Sequence, residues 1–211
     1  IRNRISKLKR DIEDIRTRRS LYRRQRDRAG IPVVALVGYT NAGKSTRMHA
    51  LSHAGVLSED KLFATLDPIT RRVRLPGGSP VLLTDTVGFI QKLPTQLVAS
   101  FRATLEEVIE ADLILHVRDI AHEETEAQAH DVEKVLSDLG IDTLPADSHI
   151  LEVWNKVDLL TPERLGELQH EAARNERQPV LVSAATGEGL DALFAAIDAR
   201  LGRADEILDV T

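Results

Sequence analysis

The sequence predicts an α/β domain in which a six-stranded, mostly parallel sheet carries one antiparallel hairpin strand and helices on both faces. Three observations predict it. From Val33 onward, short apolar runs alternate with longer amphipathic stretches, the pattern of a sheet covered by helices. The second and third runs are separated only by Pro76-Gly77-Gly78-Ser79-Pro80, too short for a helical crossover, so they form a hairpin. The first run opens onto a glycine-rich turn followed by a helical stretch, the usual setting of a phosphate-binding loop.

Before that domain, Ile1, Ile5, Leu8, Ile12 and Ile15 recur at steps of four and three, the stripe of an amphipathic helix. The stripe fails at Arg19, and the helix continues as a basic, solvated one until Ala29-Gly30-Ile31-Pro32 stops it. Candidate strands are then Val33–Val37, Arg72–Leu75, Val81–Thr84, Leu113–Val117, Ile150–Trp154 and Val180–Val182. Candidate helices cover Lys44–His53, Thr95–Glu110, Glu123–Leu139, Pro162–Asn175 and Gly189–Leu201. Thr161 before Pro162 is a cap-plus-proline start. The expected organisation is a basic helical extension at 1–30, the α/β domain at 31–201 and a linker stub at 202–211.

Composition limits the function classes. The 211 residues include 28 basic and 33 acidic ones, a net charge of −5, and 42% are hydrophobic. Residues 1–28 hold twelve Lys/Arg against four Asp/Glu, so that segment is +8 and the remainder 16 − 29 = −13. A charge run is usually a solvated face; its functional alternative is an arm that touches the phosphate backbone of RNA. With no cysteine, disulfides, thiolate zinc sites and catalytic thiols are excluded. No apolar run is long enough to span a bilayer and the amino end is no signal peptide, so a soluble, cytoplasmic protein without a membrane partner is expected. A monomer is also expected. The chain begins without Met inside a helical pattern, which suggests a piece of a longer protein.

The chemistry begins at Gly38-Tyr39-Thr40-Asn41-Ala42-Gly43-Lys44-Ser45, a full G-x-x-x-x-G-K-S, with Thr46 continuing into the helix. Glycines let the backbone curl so that successive N–H groups face a phosphate chain, and the helix that follows presents its positive end. Lys44 can reach the β and γ phosphates, and the Ser45 hydroxyl can ligate Mg2+. Asp85-Thr86-Val87-Gly88 closes the third strand; Asp85 can hold the magnesium, and Gly88 can bring its N–H to a γ phosphate. Asn155-Lys156-Val157-Asp158 follows the fifth strand. The two oxygens of Asp158 match the adjacent N1–H and 2-amino donors of guanine, which adenine lacks, so GTP and GDP are the expected ligands. Asn155 would tie this loop to the phosphate loop, and the stem of Lys156 would cover the base. Ser183-Ala184-Ala185, after the sixth strand, can aim a backbone N–H at the guanine O6. An ATPase or nucleotide kinase on the same loop conflicts with Asp158.

In this order the motifs resemble the translation-factor-related P-loop GTPases, from about Val33 to Leu201. The loop at 38–45, Phe63-Ala64-Thr65-Leu66-Asp67-Pro68, and Asp85-Thr86-Val87-Gly88-Phe89-Ile90 followed by Leu93-Pro94 resemble the HflX family closely, and a helical subdomain before the G domain fits it too. That resemblance implies a GTPase that associates with the large ribosomal subunit and separates ribosomal subunits. It makes Thr65 the switch threonine that completes magnesium coordination when a γ phosphate is present, with Lys44, Thr65 and Gly88 serving catalysis. Asn41 matches an asparagine that in some relatives helps hold potassium. Phe89 stands where many GTPases place a water-orienting Gln, which implies slow hydrolysis alone and activation by a partner; the alternative is a GTP/GDP-binding module with little turnover. Arg47-Met48-His49 departs from the family's usual Leu-Phe-Asn and implies either a variant sequence or local repacking of the first helix.

Overall fold

The computed structural model describes residues 30–46, 69–86, 88, 105–143 and 149–208. The expected helix at 1–28, residues 47–53 of the expected helix Lys44–His53 with the Arg47-Met48-His49 departure, residues 95–104 of the expected helix Thr95–Glu110, the segment Phe63–Asp67, Val87 and Phe89 lie outside the described residues. The chain divides into two compact units, Ile1–Pro32 and Val33–Thr211, and the second holds everything below.

Six strands form one sheet in the order β2-β3-β1-β4-β5-β6: β1 Val33–Gly38, β2 Ile69–Arg74, β3 Pro80–Asp85, β4 Leu113–Asp119, β5 Ile150–Asn155 and β6 Val180–Val182. All neighbours are parallel except β2 and β3, whose antiparallel register sets Arg72 opposite Leu82. The hairpin turn closes through Gly78 N–H to Leu75 O and Leu75 N–H to Ser79 O. The predicted architecture is therefore the observed one. The least accurate strand is β2, which runs from Ile69 to Arg74 where the apolar pattern marks Arg72–Leu75.

β1 is buried along its whole length and splits its side chains between two cores. Val34 and Leu36 join Leu83, Leu115, Val153 and the inner face of α3 (Leu190–Leu208) through Leu193 and Ile197. Val33, Ala35 and Val37 join Val108, Ile114 and the inner face of α1 (Thr125–Asp138) through Val132 and Leu136. Helix α2 (Pro162–Arg174) packs Leu168 and Ala172 with Trp154 and Ile120. Each helix end has a local cause. The Thr161 hydroxyl accepts the Arg164 N–H and Pro162 occupies the first turn of α2. α1 ends at Gly140, φ +83°, with Gly140 N–H to Ser137 O and Ile141 N–H to Leu136 O, the paired bonds of a Schellman cap. α3 passes Leu201, the expected helix end, and runs to Leu208. Gly202 costs about 1 kcal/mol in a helix, but Arg203, Ala204, Glu206 and Leu208 are good helix formers, and extending a helix is easier than starting one. No described helix is long and apolar enough to cross a membrane.

The register of β4 on β5 brings together a buried polar group that no local motif announces. His116 lies opposite Glu152 and Arg118 opposite Trp154. The Arg118 guanidinium bonds Glu152 and Glu126 and sits 5.7 Å from the centre of the Trp154 ring. His116 is buried with both ring nitrogens lacking a hydrogen bond among the described residues. Burial pushes its imidazole down to about 4, against the attraction of Glu152 and Glu133 and with the repulsion of Arg118 and Arg177. The folded state thus keeps His116 neutral while the unfolded chain protonates below its ordinary pKa of 6.5. Stability from this group is complete above pH 6.5 and is lost as pH falls towards 4, by roughly 3 kcal/mol at the end of that window. Since the ring makes no hydrogen bond, His116→Leu forfeits none. Urea midpoints at pH 7 and pH 5 should therefore differ less in His116→Leu than in the parent; an equal difference would refute the buried neutral imidazole.

Candidate nucleotide site

Four chain segments that carry polar groups leave the sheet at one edge, at the carboxyl ends of β1, β3, β5 and β6. β1 has β3 on one side and β4 on the other, so the chain reverses its direction across the sheet there, where open α/β sheets leave a ligand crevice.

The phosphate loop leaves β1 at Gly38 and turns into helix at residue 44. Asn41 holds φ +60° and Gly43 φ +89°, a left-handed pair that Asn tolerates and Gly favours. A Cβ at Gly43 would lie 2.3 Å from Asn155 Nδ2. Lys44 is buried, and its Nζ donates to Gly38 O at 3.0 Å and Tyr39 O at 2.8 Å. Burial pushes the ammonium down to about 8, opposed by the Asp85 charge. Ser45 Oγ donates to Asp85 Oδ2 at 2.7 Å. This hydroxyl and carboxylate, both oxygen donors beside the helix start, fit a hard divalent cation such as Mg2+. Thr86 Oγ1 donates to Leu36 O, which fastens the segment after β3 to β1. Gly88 is buried against the loop: a Cβ there would lie 2.9 Å from Thr40 Cα and 3.0 Å from Lys44 Nζ. Only a residue without a side chain leaves that space for a phosphate.

On the base side, Asn155 is buried and bridges two loops. Its Nδ2 donates to Ala42 O at 2.8 Å, and its Oδ1 accepts the Ala184 N–H at 3.1 Å. The phosphate loop and the loop after β6 are thereby one unit. The bond to Ala42 is the expected tie between the loop after β5 and the phosphate loop, and the bond to Ala184 adds a link the sequence did not suggest. The Ala184 N–H, expected to face a guanine O6, is held by Asn155, whereas no bond is formed by the Ala185 N–H among the described residues. Ser183 is buried and its Oγ accepts the Thr186 N–H, which shapes that turn. Lys156 holds φ +70° and starts the 3-10 turn Val157–Leu159. Val157 is buried beneath this turn and Asp158 is exposed on it.

Sequence reasoning missed Asp119, at the end of β4. Its carboxylate pairs with Lys156 Nζ at 2.8 Å and caps the Ala121 N–H. That ion pair fixes the direction of the Lys156 stem. The signal was present in the sequence: an Asp ending a buried strand, at the same sheet edge as Asp85.

Residues 33–156 match the protein family described as "50S ribosome-binding GTPase". The chain is 50% identical over 204 residues to "GTPase HflX" of Magnetococcus marinus, covering 97% of this chain and 45% of that protein. It is 47% identical over 208 residues to "GTPase HflX" of Caldanaerobacter subterraneus subsp. tengcongensis, covering 99% and 46%. The chain thus spans less than half the length of these relatives. Among solved structures, Aquifex aeolicus Era bound to GDP.AlF4- superposes with a TM-score of 0.62 at 23% identity, over 79% of this chain and 56% of that one, a likeness of fold.

Proposed function

The chain belongs to the 50S ribosome-binding GTPase family and, within it, to the HflX group, and from that premise we propose that it binds GTP and hydrolyses it to GDP and phosphate, as a switch on the large ribosomal subunit. The observation that carries the nucleotide part is the pair of hydrogen bonds made by the Asn155 side chain, which joins the loop built for phosphate to the loops built for a base. Ribosome splitting, a cytoplasmic site of action and a contact of the basic 1–28 segment with ribosomal RNA belong to the same reading.

The residues divide the work. Lys44 exchanges its two carbonyl partners for β and γ phosphate oxygens, which are better acceptors for a buried ammonium. Ser45, Asp85 and Thr65 would hold Mg2+, which when bound supplies charge neutralisation to the phosphates. The Gly88 N–H meets the γ phosphate, and the loss of that phosphate releases Thr65. Asp158 accepts from the guanine N1–H and 2-amino group while Lys156, steered by Asp119, covers the ring. Asn41 stands beside the phosphates where a potassium ion would assist. Phe89 cannot orient water, so the group that does so comes from the partner.

Steady-state hydrolysis by this chain, in potassium and in sodium, should be slow alone and rise at least tenfold with purified large subunits. Tight GTP binding with no stimulation would leave the second reading, a binding module without useful turnover, which the apolar Phe89 favours. Absence of GTP binding would overturn the proposal itself.

A further inference from the structure

Among the described residues β2 is the edge strand of the sheet, paired with β3 alone. Residues 69–84, the β2–β3 hairpin, carry Arg71, Arg72 and Arg74 and no acidic residue, a local +3 within a region, 29–211, whose net charge is −13. Strand alternation puts Thr70, Arg72 and Arg74 on one face, and all three are exposed. Arg71 lies half-buried on the other face, across from Leu83.

Five arginines outside the hairpin have partners. Arg118 and Arg177 each bond a carboxylate, Arg164 pairs with Glu167, Arg174 bonds the His170 carbonyl and Arg200 is also engaged. The three on β2 have no hydrogen bond or ion pair among the described residues, although the domain is rich in acids. Charge on an edge strand discourages strand addition, but that effect does not require the guanidinium groups to lack acidic partners. Guanidinium groups two residues apart on an extended strand are spaced by about 6.8 Å at their Cα atoms. Their planar forks match phosphate oxygens two at a time. A narrow basic ridge on an acidic body suits a polyanion that is itself a ridge, and the surrounding negative charge repels a broad anionic surface such as a membrane.

We infer that the exposed face of the β2 edge, through Arg72 and Arg74, contacts the sugar-phosphate backbone of structured RNA on the large ribosomal subunit. The inference rests on the ribosomal reading above and gives it a specific surface outside the nucleotide site. Backbone contacts of this kind position a protein without reading sequence, and each neutralised phosphate adds about one unit to the salt dependence of binding.

The test uses the full 211-residue chain loaded with a non-hydrolysable GTP analogue, binding to purified large subunits across a series of salt concentrations. Arg72→Ala/Arg74→Ala should bind at least tenfold more weakly, with a salt slope shallower by about two, and with nucleotide affinity unchanged. Arg72→Lys/Arg74→Lys should keep the slope and recover part of the affinity. A photo-reactive side chain at position 72 should cross-link to RNA. If the parent binds and the alanine pair binds equally well, the edge is not the contact and the ribosomal reading stands. If the pair weakens binding but position 72 cross-links only to ribosomal protein, the occupant is an acidic protein and the inference fails. If the parent itself binds no subunits, the ribosomal reading falls and this inference falls with it.

Discussion

Lys44→Ala should weaken GTP binding by about 10²- to 10³-fold while leaving the thermal stability of the nucleotide-free protein close to that of the parent. Two physical facts set these opposite outcomes. With nucleotide bound, the ammonium is the buried countercharge of the β and γ phosphates, and removing one member of a buried charge pair costs about 3–5 kcal/mol. Without nucleotide, the same ammonium is buried with two backbone carbonyls for company, and burial has already pushed its pKa down to about 8. Such a group contributes little net stability, because its hydrogen bonds only offset its desolvation. Alanine at position 44 is also a good helix former. The measurement pairs a fluorescence titration with N-methylanthraniloyl-GTP and a melting curve taken without nucleotide. Affinity within threefold of the parent would remove Lys44 from the phosphate site. A large fall in the empty protein's melting temperature would mean that its two carbonyl bonds are structural.

How much of this was legible in advance depended on whether the cause was local. The phosphate loop was readable because eight consecutive residues carry it, and the backbone places Asn41 and Gly43 in the left-handed conformation their side chains allow. The strands β1, β4 and β5 were readable because they are buried on both faces and each carries a run of apolar residues. β2 was misplaced because an edge strand with an exposed face reads Ile-Thr-Arg-Arg-Val-Arg, and only its pairing with β3 defines its ends. The end of α3 was misplaced because Gly202 is a common stop signal that neighbouring residues overrode. Asp119 is marked only as an acid ending a buried strand, and its pairing with Lys156, like that of Arg118 with Glu152 and Glu126, was not readable. The partners are 37, 34 and 8 residues apart and meet only because the β4–β5 register and α1 bring them together.

The base is the other large effect, and it isolates the guanine assignment from the phosphate chemistry. Asp158 is exposed at the rim of the site, with no hydrogen bond or ion pair among the described residues, whereas the Lys156 beside it is held by Asp119. Its two acceptor oxygens are thus available to a ligand that offers two adjacent donors. Asp158→Asn replaces one acceptor by a donor, so the guanine 2-amino group meets an N–H instead of an oxygen. GTP affinity should fall by about 10²- to 10³-fold, the effect of opposing like groups where a charged pair had formed. Xanthosine triphosphate carries an oxygen where guanine carries that amino group. The amide then matches it with one donor and one acceptor, and affinity for it should rise by a similar factor. ATP, which offers neither pattern, should remain a poor ligand for both proteins. Competition of the three nucleotides against a labelled GTP or xanthosine triphosphate decides the matter, because loss of fold or of the phosphate site weakens all three together. Only a reversal of preference between guanine and xanthine reports the hydrogen-bond pattern at position 158. GTP preference left intact in Asp158→Asn would place base recognition on the Ser183-Ala184-Ala185 loop, where the backbone N–H groups are untouched by the substitution.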